Sequence, residues 1–203
     1  NCVEAWIITR NGAVDDRHAN DTLRDPALDG YCGYACDSIM GGIYTLGRSY
    51  ADFPTLADLK DKLYYCGIDG PITINIYPGT YGNFNFTQTD IFEGQSEINT
   101  VTFQSLTGNP ADVILVDSNS TATGAITLNN TAFYNFNNLT IQGKTGSTYS
   151  RGVYFSNIGS KNITISNCII NIEPTTANTH NFSGICRSAA PSTRSDSTIN
   201  IIN

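Results

Sequence analysis

Asn138-Leu139-Thr140-Ile141 and, 24 residues later, Asn162-Ile163-Thr164-Ile165 are near copies of each other. A second pair, Ala125-Ile126-Thr127-Leu128-Asn129-Asn130 and Gly152-Val153-Tyr154-Phe155-Ser156-Asn157, is offset by 27 residues. Each is a short run of β-branched or aromatic residues alternating with polar ones, the pattern of a strand with one buried face. A period in the twenties, two strands per period and polar turns predict a coiled β-solenoid, each rung burying its inward residues against its neighbours. A β-sandwich also places strands about 8–12 residues apart, but it needs no tandem copies. The expected inward stacks are Ile126/Val153/Ile185 and Leu139/Ile163/Ile199. Asn130 and Asn157 are expected to form an asparagine ladder between rungs.

Outward from this repeat, residues 99–104, 112–116, 184–186 and 197–202 read as further short strands. Upstream, Ile72, Ile74 and Ile76 alternate with polar residues ahead of the turn Pro78-Gly79. Before that strand, residues 55–65 predict a helix. Thr55 is its N-cap, Asp58 sits at the capping-box position, Leu56, Leu59 and Leu63 share one face, and Gly67 stops it. A solenoid end needs a cover, so this helix is expected to cap the first rung. The reading is therefore an irregular, acidic, Cys-rich segment over 1–42 and a β-helix over 43–203, with rungs from about residue 70. Ser197–Ile202 looks like a strand in mid-rung. Its Ile199, Ile201 and Ile202 are expected to be buried by the remainder of a longer chain or by copies of the same chain.

Charge supports the division. Residues 1–97 hold 14 acids and 6 bases; residues 98–203 hold 4 acids and 5 bases. The net charge of −7 with no basic run argues against nucleic acid or an anionic membrane as partner. No apolar stretch approaches the ~18 residues of a membrane-spanning helix. The acids between Asn11 and Asp37 do not match the spacing of a calcium loop, so calcium stays open but unindicated and no cofactor is expected.

The six cysteines are Cys2, Cys32, Cys36, Cys66, Cys168 and Cys186. No C-x-x-C occurs and His18 and His180 are isolated, which disfavours zinc. Disulfides, and with them a secreted, extracellular or cell-surface location, are the better reading. Cys2, Cys32, Cys36 and Cys66 are expected to form two disulfides holding the acidic segment to the cap. Cys168 and Cys186 are expected either to pair or to stack inward as small apolar residues.

The run Tyr50-Ala-Asp-Phe-Pro-Thr-Leu-Ala-Asp-Leu59, followed by Gly70-Pro-Ile-Thr-Ile-Asn-Ile-Tyr-Pro-Gly-Thr-Tyr81, resembles the start of pectin-methylesterase-like β-helices. In wording it is closer still to the β-helix regions of large bacterial surface proteins. The resemblance covers about residues 43–203 and implies an all-β, right-handed parallel β-helix of the pectin-lyase superfamily. It implies esterase residues as well, and these are missing. Arg151-Gly152-Val153-Tyr154 stands where the esterases carry a Gln, and the Asp motif would fall near Ile170–Pro174, where Glu173 is the lone carboxylate. No catalytic residue is therefore assigned.

The expected function is a non-catalytic extracellular structural or adhesive β-helix: a stalk, adhesin or filament component. The alternative is a carbohydrate-active esterase or lyase acting on acidic polysaccharide. Glycans are further candidate partners, because Phe133, Tyr134, Phe136, Tyr149, Tyr154 and Phe155 could include a sugar-stacking platform. Three Asp-[Ser/Thr] tripeptides fit the O-glycosylation motif that the bacterial resemblance implies, with Thr22, Ser38 and Ser197 as acceptors.

Overall fold

The computed structural model describes residues 9–10, 13–14, 40–118, 123–144, 149–157, 159–172, 182–188 and 197–202. Two short strands, β1 (Thr9–Arg10) and β2 (Ala13–Val14), pair antiparallel inside the stretch expected to be irregular. Then come β3 (Met40–Leu46), the helix α1 (Leu56–Cys66), β4 (Ile68–Ile76), β5 (Gly79–Tyr81), β6 (Phe84–Phe86), β7 (Val101–Ser105) and β8 (Val113–Val116). They are followed by β9 (Ile126–Leu128), β10 (Ala132–Asn137), β11 (Thr140–Gln142), β12 (Ser150–Phe155), β13 (Lys161–Ser166), β14 (Ile169–Asn171), β15 (Phe182–Arg187) and β16 (Ser197–Ile202).

From β3 on, every strand pairing is parallel, and the strands fall into three sheets. The first sheet runs β3-β4-β7-β10-β13-β16, the second β5-β8-β11-β14, the third β6-β9-β12-β15. From β4 to β16 the chain visits the first, second and third sheet in strict rotation, so the arrangement is solenoid-like. A turn of the coil holds three strands, not the two expected.

That correction explains the tandem copies. Asn138-Leu139-Thr140-Ile141 leads into β11 of the second sheet, whereas Asn162-Ile163-Thr164-Ile165 lies in β13 of the first. The two are not in register. What they share is an asparagine with φ of 53° in both, the left-handed conformation that asparagine tolerates better than most side chains. The motif repeats a way of turning into a strand rather than a whole rung. The true partner of Ile163 one rung back is Tyr134, so the second inward stack is Ile72/Val101/Tyr134/Ile163/Ile199, and Leu139 is not in it. The first stack is as expected, Phe84/Ile126/Val153/Ile185.

The asparagine ladder is replaced as well. Asn130 Nδ2 donates to Gln88 Oε1 at 2.8 Å, and Gly159 rather than Asn157 lies against Asn130 Oδ1. The connection from β12 to β13 is two residues longer than that from β9 to β10, which shifts the register at this corner.

Aromatic side chains from successive turns meet inside the coil. Phe86, Phe103, Tyr134 and Phe136 are fully buried and stack on one another; Phe86 and Tyr134 centroids are 4.5 Å apart, and Phe103 and Phe136 lie nearly parallel at 5.8 Å. Tyr134 and Phe136, with Phe155, are thus core residues and unavailable to a sugar. Burial pushes the Tyr134 phenol well above its ordinary pKa, the nearby Asp90 carboxylate acting in the same direction, and its hydroxyl donates to the Asp90 carbonyl.

Helix α1 forms as its sequence dictates. Thr55 Oγ1 accepts from Asp58 N at 3.2 Å while Asp58 Oδ2 accepts from Thr55 N at 2.9 Å, a reciprocal capping box. Gly67, at φ 66°, closes the helix by donating its N–H to the Leu63 carbonyl. Leu59 and Leu63 are buried in the common core, and Leu56 packs against it. Lys60 ties the helix down: its Nζ is 2.7 Å from Asp90 Oδ1, donates to the Asn85 carbonyl, and lies 5.6 Å from the Phe86 ring centroid.

Candidate functional site

Two outer surfaces carry chemistry. On the first sheet, residues alternate with the core files and point outward in rows. One row is Thr73/Thr102/Asn135/Thr164/Asn200, and the next is Asn75/Gln104/Asn137/Ser166. These side chains bond along the solenoid axis. Gln104 Nε2 donates to Asn75 Oδ1 at 2.9 Å, Asn135 Nδ2 to Thr102 Oγ1 at 3.1 Å, and Ser166 Oγ to Asn137 Oδ1 at 3.2 Å. The two rows carry no charged side chain, and Asn75, Thr102, Gln104, Asn135, Asn137 and Ser166 bond to neighbours along them.

The outer face of the third sheet is different. Tyr154 projects outward because Val153 and Phe155 on either side of it are buried. One strand earlier in the same file stands Thr127, one later Cys186. Close to Tyr154 on β12, Gly152 holds the backbone against the next rung: a Cβ there would lie 2.5 Å from the Gly184 carbonyl oxygen and 3.0 Å from Ile170 Cγ2. Ser150 and Gly152 are buried on either side of Arg151, whose guanidinium carbon is 4.4 Å from the Tyr154 ring centroid and 4.9 Å from that of Tyr149. These two cation–π contacts hold the guanidinium in place. Nη1 is shielded from water and makes no hydrogen bond.

Cys186 and Cys168 are both free thiols, so the expected pairing between them does not form. They lie on different faces: Cys186 pairs in register with Tyr154 on the third sheet, while Cys168 sits just before β14 of the second, donating to the Ser166 carbonyl. Burial raises the Cys168 thiol, its hydrogen bonds opposing the shift. Burial also raises Cys186, with the Arg151 charge working against it. A thiol raised above its ordinary value is a poor nucleophile at neutral pH. Cys66, the last residue of α1, is disulfide-bonded.

Cys2, Cys32, Cys36, Thr22, Ser38 and Glu173 lie outside the described residues, and Ser197 is described only as the first residue of β16. Ile201 and Ile202 are 60% and 56% exposed, and Ile199 is half-buried, so the structure brings these three to the open edge of the first sheet. In the sequence Tyr149 and Tyr154 are two of six candidate aromatics, and Arg151 marks only the place of a missing Gln. The signal that would have singled it out is the sequence Tyr149-Ser-Arg-Gly-Val-Tyr154, a cation between two aromatics on a strand in a nearly charge-free region.

Among the described residues no three His, Cys, Asp or Glu side chains converge as a metal donor set, and no helix is long and apolar enough to cross a membrane. No family model, curated protein or solved structure matches the chain.

Proposed function

We propose that the chain is a non-catalytic structural or adhesive β-helix of the bacterial cell surface, serving as stalk, adhesin or filament component. The observation that carries this reading is the outer face of the first sheet. Its rows of Thr, Asn, Gln and Ser donate to and accept from one another along the axis, as befits a rod whose exposed side chains reinforce the stack. The rotation of the chain through three parallel sheets fits the right-handed coil of the pectin-lyase superfamily, since parallel crossovers take the right hand in nearly all proteins. The disulfide at Cys66 supports an oxidising compartment, and with it the remaining N-terminal pairing among Cys2, Cys32 and Cys36. The exposed Ile201 and Ile202 suit a site where further rungs, or another copy, add to the sheet.

The test is to incubate the protein with methyl-esterified pectin and with polygalacturonate, measuring methanol and unsaturated products. No release above a heat-killed control is expected. Clear turnover would discard the structural reading for an esterase or lyase.

A further inference from the structure

Charge is segregated along the solenoid. From Thr123 to Ile202 the sequence holds five bases, Lys144, Arg151, Lys161, Arg187 and Arg194, against two acids, Glu173 and Asp196. The helix-capped end is acidic: Asp69 and Glu93 are exposed there, and the Ile68 N–H donates to the Glu93 carbonyl at 2.8 Å, which brings their two chain segments together beside the end of α1. Against this background Arg151 is a recognition element without a partner. Its guanidinium lies against the Tyr149 and Tyr154 rings, and its Nη1 is desolvated without a hydrogen bond. Lys144 lies close by, since the neighbouring Gly143 approaches the Arg151 backbone: a Cβ on Gly143 would be 3.1 Å from Arg151 N.

We propose that the Arg151 face of the third sheet docks the acidic, helix-capped end of a second copy of this chain, Arg151 and Lys144 receiving the carboxylates of Asp69 and Glu93. The contact joins two different surfaces, so it is heterologous and propagates into chains of copies instead of closing as a dimer. Oppositely charged faces of this kind steer association and weaken with salt. The inference rests on reading the molecule as a self-associating structural element, but it is tested independently of that reading.

The experiment is sedimentation velocity on the full chain at about 0.05 M and about 1 M salt, conditions that change screening several-fold. The expected result is concentration-dependent association at low salt, lost at high salt and weakened about tenfold or more by Arg151→Gln. Arg151→Lys, which keeps the charge but not the planar fork, weakens it less; both variants melt like the parent. Mixing Arg151→Glu protein with Asp69→Arg/Glu93→Arg protein restores association that neither shows alone. A monomer at low salt and high concentration overturns the proposal. So does association indifferent to salt or to the Arg151 substitutions, and so does a monomer retained by immobilised polygalacturonate through Arg151, which would make an acidic glycan the partner. Absence of turnover on pectin with no self-association would leave the structural reading standing and remove this inference alone.

Discussion

Leu59 decides whether α1 is a true cap. It has no solvent exposure and belongs to the same buried cluster as Ile72, Ile74 and Phe103 of the first sheet. Truncation to alanine removes buried methyl groups and leaves a cavity over a stack that cannot collapse, because its neighbours are held in register by parallel pairing. The expected cost is about 3–4 kcal/mol. For a chain of this size each kcal/mol corresponds to about 2–4 °C, so Leu59→Ala should melt roughly 6–16 °C below the parent. Leu59→Asp should cost more, on the order of 5 kcal/mol, because an unpaired charge is forced among apolar groups. Ala57 is exposed on the same helix, and Ala57→Asp should stay within about 0.5 kcal/mol of the parent. The assay is thermal unfolding by circular dichroism with all three variants at one concentration. If Leu59→Asp melts with the parent, the helix does not cover the first rung and the argument from its apolar face fails.

Lys60→Met keeps the apolar stem but strips the cation from Asp90, whose side chain is only 8% exposed; denaturant unfolding should show a loss of about 3 kcal/mol, with Lys60→Met/Asp90→Asn recovering part of it. At Gly94, φ is 82° and a Cβ would meet the Ile68 carbonyl oxygen at 1.8 Å, whereas at Gly108, φ 74°, it would meet nothing within 4 Å. Gly94→Ala should therefore abolish or severely impair folding and Gly108→Ala cost only about 1 kcal/mol; equal effects would contradict the packing at Gly94. Because burial raises both Cys168 and Cys186, each thiol stays protonated to higher pH when folded than when unfolded. Alkylation of the native protein should be slow at neutral pH and accelerate as pH rises, and rapid labelling at pH 7 would contradict their burial. Asp52 runs the other way: the Thr45 hydroxyl and N–H hold its carboxyl below the usual value. Its stabilising share is present above the unfolded pKa and disappears as pH falls through the folded one, so Asp52→Asn should narrow the gap in melting temperature between neutral and strongly acidic solution.

The helix was legible in the sequence because its signals are local: Thr55, Asp58, the leucine spacing and Gly67 all act within a few residues. The alternation of Ile72, Ile74 and Ile76 was legible for the same reason. The number of strands per turn was not. β5, β6 and β14 are three residues long, too short to show a period, and β10 was obscured because Phe133-Tyr134-Asn135-Phe136 reads equally well as a surface platform or as two core aromatics. Register depends on connection lengths that vary from rung to rung, and sequence similarity between Asn138 and Asn162 pointed to the wrong pair. Arg151 was the least legible residue. Its significance comes from Tyr149 and Tyr154 lying against one guanidinium, a contact that the spacing Tyr149-Ser-Arg-Gly-Val-Tyr154 allows but does not dictate.

The parallel register has a mechanical consequence. All ladder hydrogen bonds from β3 to β16 run along the solenoid axis, from one turn to the next. A force applied along that axis therefore opens a rung bond by bond, while a force along the strands loads a whole row of bonds at once. With 29 residues between Tyr134 and Ile163, releasing one turn adds roughly 100 Å of extended chain, at about 3.3–3.6 Å per residue. Such a rod would lengthen under tension in discrete increments, one turn at a time, and hold against sideways drag far better than against an end-on pull.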